Sequence, residues 1–250
     1  MATLLHPDAP NFRSFCGMAL PDGRRVRERR FYRCASPRTF GPAGMEALEA
    51  LDPYAIVDLR GREEATVNAY VLPDAIKDRR VAMPIEPKTG DRVRELHEAG
   101  LLDRESAREA MRETYRYYVE ESAHVFQDLL RLAHESGGRP IVWHCAAGKD
   151  RTGFAGAMIL GTLGAAEEAV MADYLATNDL WAPPANSTVS AVPELAREAL
   201  RRVEADYLQT ALDTVAQRYG SMSAFAAEAL GGEDQVALFI ADALEEPQTV

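Results

Sequence analysis

The chain is poor in cysteine and lysine and lacks any long apolar run, and each shortage excludes something. Cys16, Cys34 and Cys145 are its only cysteines, and none lies in a CxxC spacing. They offer neither a disulfide framework nor a zinc site, and no metal is expected. No eighteen consecutive apolar residues occur, so no membrane-spanning helix and no integral membrane association are expected. The opening stretch MATLLHPDAPNFRSF lacks the basic and apolar regions of a standard secretory signal. A reducing, cytoplasmic setting is the default expectation, with secretion by another route left open. A formal net charge of −11 argues against nucleic acid as a partner, because counterion release needs a basic surface. It still allows a local basic pocket. Lysine is outnumbered by arginine three to twenty-five, so the place of each lysine is informative.

What is present suits a core-forming α/β protein. A length of 250 residues with 47% hydrophobic content supports a sizeable core. Met18–Leu20, a turn at Pro21-Asp-Gly23, and Arg25–Cys34 read as a β-hairpin. Residues 44–51 read as a short helix, 53–59 as a buried strand and 80–83 as a weaker one. Residues 86–104, charged and broken by Pro87 and Gly90, read as a mobile excursion that could cover a site. One long helix is expected over 105–134, stopped by Ser136-Gly-Gly138. Helices over 167–178, 193–219, 223–230 and 233–244 follow, with Pro183–Thr188 as a loop. Strands early and helices late imply one α/β domain with a helical C-terminal portion packed on it. The cluster from Arg24 to Arg33 reads as a solvated hairpin face, the alternative being a patch for acidic substrates.

The chemistry concentrates in HCAAGKDRTG, residues 144–153. The strand-like run Pro140-Ile-Val-Trp143 precedes it, and the evenly apolar Phe154–Leu160 follows. It is therefore a loop between a strand and the N-terminus of a buried helix. Helix N-termini and nearby cations lower a thiol's pKa and make it a better nucleophile. Backbone amides and the helix dipole at the same place suit a bound anion. Arg151, six residues after Cys145, has a planar fork that can hold two phosphate oxygens. Neither Cys16 nor Cys34 has that spacing, being followed at the sixth residue by Asp22 and Phe40. Gly148 permits an anion nest of successive amides, Thr152 can hydrogen-bond the sulfur, and His144 can set its environment.

The compound pattern resembles, at every position, the signature loop of the cysteine-dependent protein tyrosine phosphatase superfamily. With Lys149-Asp150 before the arginine it is similar to a bacterial branch of broad specificity, acting on phosphotyrosine and often on phosphoinositides. Asn11-Phe-Arg13, Asp22-Gly-Arg24, Phe31-Tyr-Arg33, Ile56–Arg60 with Glu63, Asp173-Tyr-Leu175 with Asn178, and Tyr219-Gly-Ser221 extend the resemblance along the chain. The branch usually follows Asn-Phe-Arg with Asp-Leu-Gly-Gly, where this chain has Ser14-Phe-Cys-Gly17. The resemblance implies one tyrosine phosphatase-like domain over residues 1–250, with a central mixed sheet, flanking helices and a helical lid.

It also implies a phosphomonoester hydrolase of phosphorylated proteins or phosphoinositides, needing no cofactor and working through a phosphocysteine. Cys145 is then the nucleophile, Arg151 the phosphate clamp and Asp150 the general acid. His144, Ala146, Ala147, Gly148, Lys149, Thr152 and Gly153 form the substrate-binding loop. No Trp-Pro-Asp segment supplies a separate acid, but Met83-Pro-Ile-Glu-Pro87 offers Glu86 as a competitor to Asp150. Three other readings stay open: a phosphoinositide-preferring phosphatase, a non-catalytic phospho-ligand-binding domain, and a thiol redox or sulfur-transfer protein. A redox role for Cys16 or Cys34 is equally open.

Overall fold

Ile141–His144 supplies the central strand of a five-stranded mixed sheet, because an apolar run with no polar alternation can be buried on both faces. The structure, a computed structural model, describes residues 2–182 and 192–246. In chain order the strands are β1 (Arg13–Ser14), β2 (Arg25–Val26), β3 (Phe31–Cys34), β4 (Ala55–Asp58), β5 (Arg80–Ala82), β6 (Ile141–His144) and β7 (Leu244–Glu245). The sheet order is β1-β3-β6-β4-β5, antiparallel only between β1 and β3. β2 and β7 form a separate antiparallel pair. All four residues of β3, β4 and β6 are buried.

Eleven α-helices flank this sheet among the described residues, giving the expected α/β architecture. They are α1 (Pro42–Ala50), α2 (Arg62–Val67), α3 (Thr89–Glu98), α4 (Arg104–Glu120), α5 (Ala123–Glu135), α6 (Asp150–Thr162), α7 (Glu167–Leu180), α8 (Glu194–Arg201), α9 (Ala205–Tyr219), α10 (Met222–Leu230) and α11 (Glu233–Ala243). α6 is buried on every side, as its evenly apolar sequence requires.

Several expected elements are corrected. The turn near Pro21 exists, with Val26 N–H bonded to Met18 O at 3.0 Å, but Arg25–Cys34 is two strands rather than one. β2 turns away to meet β7, and β3 joins the main sheet beside β6. Residues 86–104 contain the helix α3, whose Val93 and Leu96 are buried against Ala110 of α4, so this segment is not a structureless excursion. The single helix expected over 105–134 is two helices, broken at Glu121-Ser122, where Tyr117 O accepts from both backbone N–H groups. The break lets α4 pack on α8 and α9 while α5 packs on α10.

The helix expected over 193–219 is also two. Asn178 of α7 accepts from Val203 N–H and donates to Val203 O, both at 2.9 Å, so its amide takes over the polar groups a continuing helix would have used. The loop expected at Pro183–Thr188 lies outside the described residues. Nor is the run from Arg24 to Arg33 uniformly solvated, since Arg30 and Arg33 are buried. No helix of the described residues is long and apolar enough to cross a membrane.

Candidate active site

Cys145 leaves the C-terminal end of the central strand β6, and α6 begins at Asp150. Ligand sites in sheets of this kind lie beyond the carboxyl ends of the parallel strands, where the connections diverge. The loop is held from behind through its carbonyls. Ser36 N–H donates to Ala146 O at 2.9 Å. The Asn11 side-chain amide donates to Ala147 O at 3.2 Å and to Gly148 O at 2.7 Å. Arg33 adds a bond to Gly148 O at 2.9 Å. In a planar trans peptide the C=O and N–H point opposite ways, so carbonyls drawn backward turn the following amides toward the cavity. Gly148 has a φ of +66°, and any Cβ there would overlap the carbonyl of Cys34, so this position demands glycine.

Beneath the loop lies a network whose members the sequence displays but whose assembly it hides. Arg13 and Arg33, paired in register across β1 and β3, both reach Asp173 of α7, at 2.8 and 2.6 Å. Thr177 Oγ1 accepts from both arginines. Burial opposes ionisation of Asp173, but Arg33 and Arg13 outweigh it and hold the carboxyl below its usual range. Burial and the neighbouring Arg33 push the Arg13 guanidinium down to about 10. The resemblance marks all three residues, in Asn11-Phe-Arg13, Phe31-Tyr-Arg33 and Asp173-Tyr-Leu175, but no sequence signal shows that they meet.

Arg151 is held at one edge and open at the other. Its first η nitrogen donates to Leu59 O at 3.3 Å, Ile85 O at 3.1 Å and Glu64 Oε2 at 2.8 Å. The second donates to Glu64 Oε1 at 3.2 Å. Nε–H and the remaining η N–H share the opposite edge of the fork and have no protein acceptor among the described residues, which suits two phosphate oxygens. Burial alone would push the guanidinium down, but Cys145 and Glu64 more than offset that and keep it cationic. The glutamate that holds Arg151 is Glu64, which the sequence reading did not single out; the adjacent Glu63, part of the resemblance, is exposed.

A cavity of about 350 Å³ brings together Cys145, Ala146, Ala147, Lys149, Asp150 and Arg151. Asp150 also borders a second cavity of about 490 Å³, walled by Val93, Met111 and Leu200. Tyr115 O–H donates to Asp150 Oδ1 at 3.1 Å and shares a 2.7 Å bond with Tyr174 O–H. Burial keeps both phenols protonated. Since Tyr115 spends its proton on Asp150, Tyr174 must be the donor in the second bond. Lys149 is buried, its ammonium 2.6 Å from Leu200 O and 3.5 Å from Asp150 Oδ2, so it braces α8. Glu86 is exposed and accepts from Arg62 N–H at 3.1 Å, capping α2 outside the cavity wall.

His144, Gly148, Thr152 and Gly153 support the loop and do not line this cavity. Gly153 packs against the ring of Tyr174. The Thr152 hydroxyl is buried with no hydrogen-bond partner among the described residues, so its expected bond to the sulfur is not formed. Cys34 lies directly behind the loop, where burial and Cys145 push its thiol up, while Cys16 is exposed. No cluster of metal-ligating side chains occurs among the described residues.

Burial pushes the His144 imidazole down to about 4, despite the opposing influence of Asp58. The ring is therefore neutral near pH 7. Its Nδ1 lies 2.9 Å from Cys145 O and must carry the proton, so Nε2 accepts from Tyr70 O–H at 2.8 Å. Unfolding returns His144 toward its ordinary value of 6.5. The resulting stabilisation, about 3 kcal/mol, is full above pH 6.5 and is lost as the pH falls toward 4. Hydrogen bonds from Arg60 overcome burial and hold Asp58 at about 2, so its contribution fades only below 3.8. Urea denaturation from pH 7 to 4.5 should therefore show an acid loss that is shallower by about 2–3 kcal/mol in His144→Asn. Parallel curves would place the acid sensitivity elsewhere.

The family model described as the tyrosine phosphatase family matches residues 4–245. A Cupriavidus necator protein with the provisional name tyrosine-protein phosphatase H16_A0669 is 30% identical over 234 residues, covering 88% of this chain and 81% of that one. The triple specificity protein phosphatase PtpB of Mycobacterium tuberculosis is 34% identical over 111 residues, 38% of this chain and 40% of that protein. With the loop held at the end of β6 and the match running almost end to end, the chain belongs to the tyrosine phosphatase family.

Proposed function

We propose that this protein hydrolyses phosphotyrosine in proteins, and phosphoinositides as a second substrate class, through a phosphocysteine. The observation that carries this reading is the meeting of Cys145, Asp150 and the unoccupied edge of Arg151 in one cavity. Cys145 sulfur attacks phosphorus in line with the ester oxygen, and the P–O bond breaks as the P–S bond forms. Arg151 and the loop amides stabilise the equatorial oxygens. Asp150 gives its proton to the departing phenolate or alkoxide, then takes one from the water that cleaves the P–S bond. Inorganic phosphate leaves and the thiolate is restored. The charge these steps develop is met by Arg151 and the amides, so the chemistry calls for no metal.

The family match from residue 4 to 245 supports treating the chain as a single domain. The name of the mycobacterial relative supports testing a broad substrate range. In the deciding experiment, kcat/KM is compared for phosphotyrosine peptides, phosphoserine peptides and soluble phosphoinositides, with EDTA present. Turnover of the first group with vanadate inhibition and no EDTA effect is expected. Binding of phosphopeptides without turnover would leave a phospho-ligand-binding domain, and thiosulfate or peroxide activity in its place would indicate sulfur or redox chemistry.

A further inference from the structure

Adjacent residues of α7 reach two different parts of the catalytic loop. Asp173 pairs with Arg33, which holds Gly148 O from behind. Tyr174 meets Tyr115 of α4 at 2.7 Å, and the Tyr115 hydroxyl ends on Asp150 Oδ1 at 3.1 Å. The Tyr174 ring also packs on Gly153, in the first turn of the helix that Asp150 begins. One helix thus supports both the phosphate cradle and the candidate acid.

The hydroxyl chain has a single workable direction. Both tyrosines are buried, and Tyr174 O–H has no hydrogen-bond partner besides Tyr115 among the described residues. A buried donor without an acceptor is costly, so Tyr174 spends its proton on the Tyr115 oxygen. Tyr115 could then accept from Asp150 only by stranding its own proton, and it donates to Oδ1 instead. Its ring has little room to turn away, because the rings of Tyr118, Tyr174 and Tyr207 lie 5.2, 6.2 and 6.1 Å from it. Oδ2 has no comparable donor: the Lys149 ammonium is 3.5 Å away and is spent on Leu200 O.

We infer that Tyr115, backed by Tyr174, is the positioning residue of the general acid. It holds Asp150 through Oδ1 and confines the transferable proton to Oδ2, which gives it to the ester oxygen as the P–O bond breaks. This rests on the proposed role of Asp150 as the acid. Neither tyrosine lines the catalytic cavity, so both act through Asp150. A carboxyl without this tether samples other rotamers and both proton placements, and fewer bound esters meet a proton in position.

Other ionisable groups surround Asp150. Lys149, Arg151 and Cys145 are close along the chain, and Tyr118 is a further neighbour on α4. Glu64, Arg38, Arg60 and Arg201 share the first cavity with Asp150, and Arg94 and His97 the second. All of them stay in place when a tyrosine becomes phenylalanine, which removes one oxygen and keeps the ring. A changed pH profile in such a variant therefore reports the hydroxyl chain.

The test compares full-length Tyr115→Phe, Tyr174→Phe and the double variant across aryl phosphates of increasingly poor leaving group. Tyr115→Phe should slow the poorest about 10- to 50-fold in kcat, with KM and the best leaving groups within about twofold of wild type. The alkaline limb of its kcat profile should move to higher pH, because the lost hydrogen bond favoured the ionised carboxyl. Tyr174→Phe should show the same pattern at about 3- to 10-fold. Tyr115→Phe also strands the Tyr174 proton; the double variant strands none and should still match Tyr115→Phe.

Equal losses across the series, or an unmoved limb, would make the pair structural and overturn the inference. Recovery of wild-type behaviour in the double variant would trace the loss to the stranded proton and overturn it too. If Asp150→Asn lacks leaving-group dependence, the acid assignment fails and the positioning role with it. If Asp150→Asn shows that dependence and Tyr115→Phe does not, the positioning role alone falls. Should the protein hydrolyse none of these esters, carbon-13 NMR of the Asp150 carboxyl reads the bond without turnover. Its titration should move to higher pH in Tyr115→Phe, and an unmoved titration ends the inference.

Discussion

Cys145→Ser is expected to lower turnover of para-nitrophenyl phosphate by about 10⁴-fold or more, while inorganic phosphate still binds. The two effects separate because different atoms produce them. Affinity comes from the loop amides and the free edge of Arg151, and both are held by groups other than the Cys145 side chain. Asn11, Arg33 and Ser36 fix the loop carbonyls, and Glu64 fixes the guanidinium. Turnover needs a sulfur that attacks phosphorus and later leaves it, which a serine hydroxyl does poorly without a neighbouring base. Residual activity within tenfold of wild type would rule out the covalent route. Loss of phosphate affinity together with turnover would show that the sulfur is part of the cradle.

Asp150→Asn should slow hydrolysis of aryl phosphates with poor leaving groups by about 10²–10⁴-fold. Esters whose leaving group departs without a proton should be slowed much less, provided phosphocysteine formation limits the rate. The alkaline limb of the kcat profile should flatten as well, since that limb reports loss of the acid's proton. The geometry favours Asp150 over Glu86 for two reasons. Asp150 is in the cavity wall with Cys145, and Tyr115 fixes one of its oxygens, leaving the other for the leaving group. Glu86 is spent on the N-terminus of α2. Leaving-group dependence in Glu86→Gln and not in Asp150→Asn would reverse the assignment. The comparison must be made across a leaving-group series, because one substrate cannot separate a lost acid from a displaced loop.

The chemistry was legible in the sequence because it is local. Ten consecutive residues carry the proposed nucleophile, the proposed clamp and the candidate acid, and flanking apolar runs announce a buried strand and a buried helix. Burial of β6 and α6 follows from periodicity alone, since neither has a polar face to give to water. Helix ends at 121 and 202 were not legible. No glycine or proline marks them, and they arise from tertiary demands: two packing partners for α4 and α5, and the Asn178 amide at Val203. The β2–β7 pairing joins residues more than two hundred positions apart, beyond any local pattern.

The sequence by itself determined the α/β class, the loop at a helix N-terminus and the identities of Cys145, Arg151 and Asp150 within it. Only the tertiary structure decided what surrounds them. Arg13, Arg33 and Asp173 come from three separate elements, and their charges are tolerable in the interior only because each meets the others. That Glu64 meets Arg151 depends on which way one turn of α2 faces. The sequence places Lys149 in the loop, but its bond to Leu200 O exists only because α8 packs against that loop. A carboxylate or an ammonium keeps the same letter whether solvated, paired or buried, and long-range packing sets which of these it is.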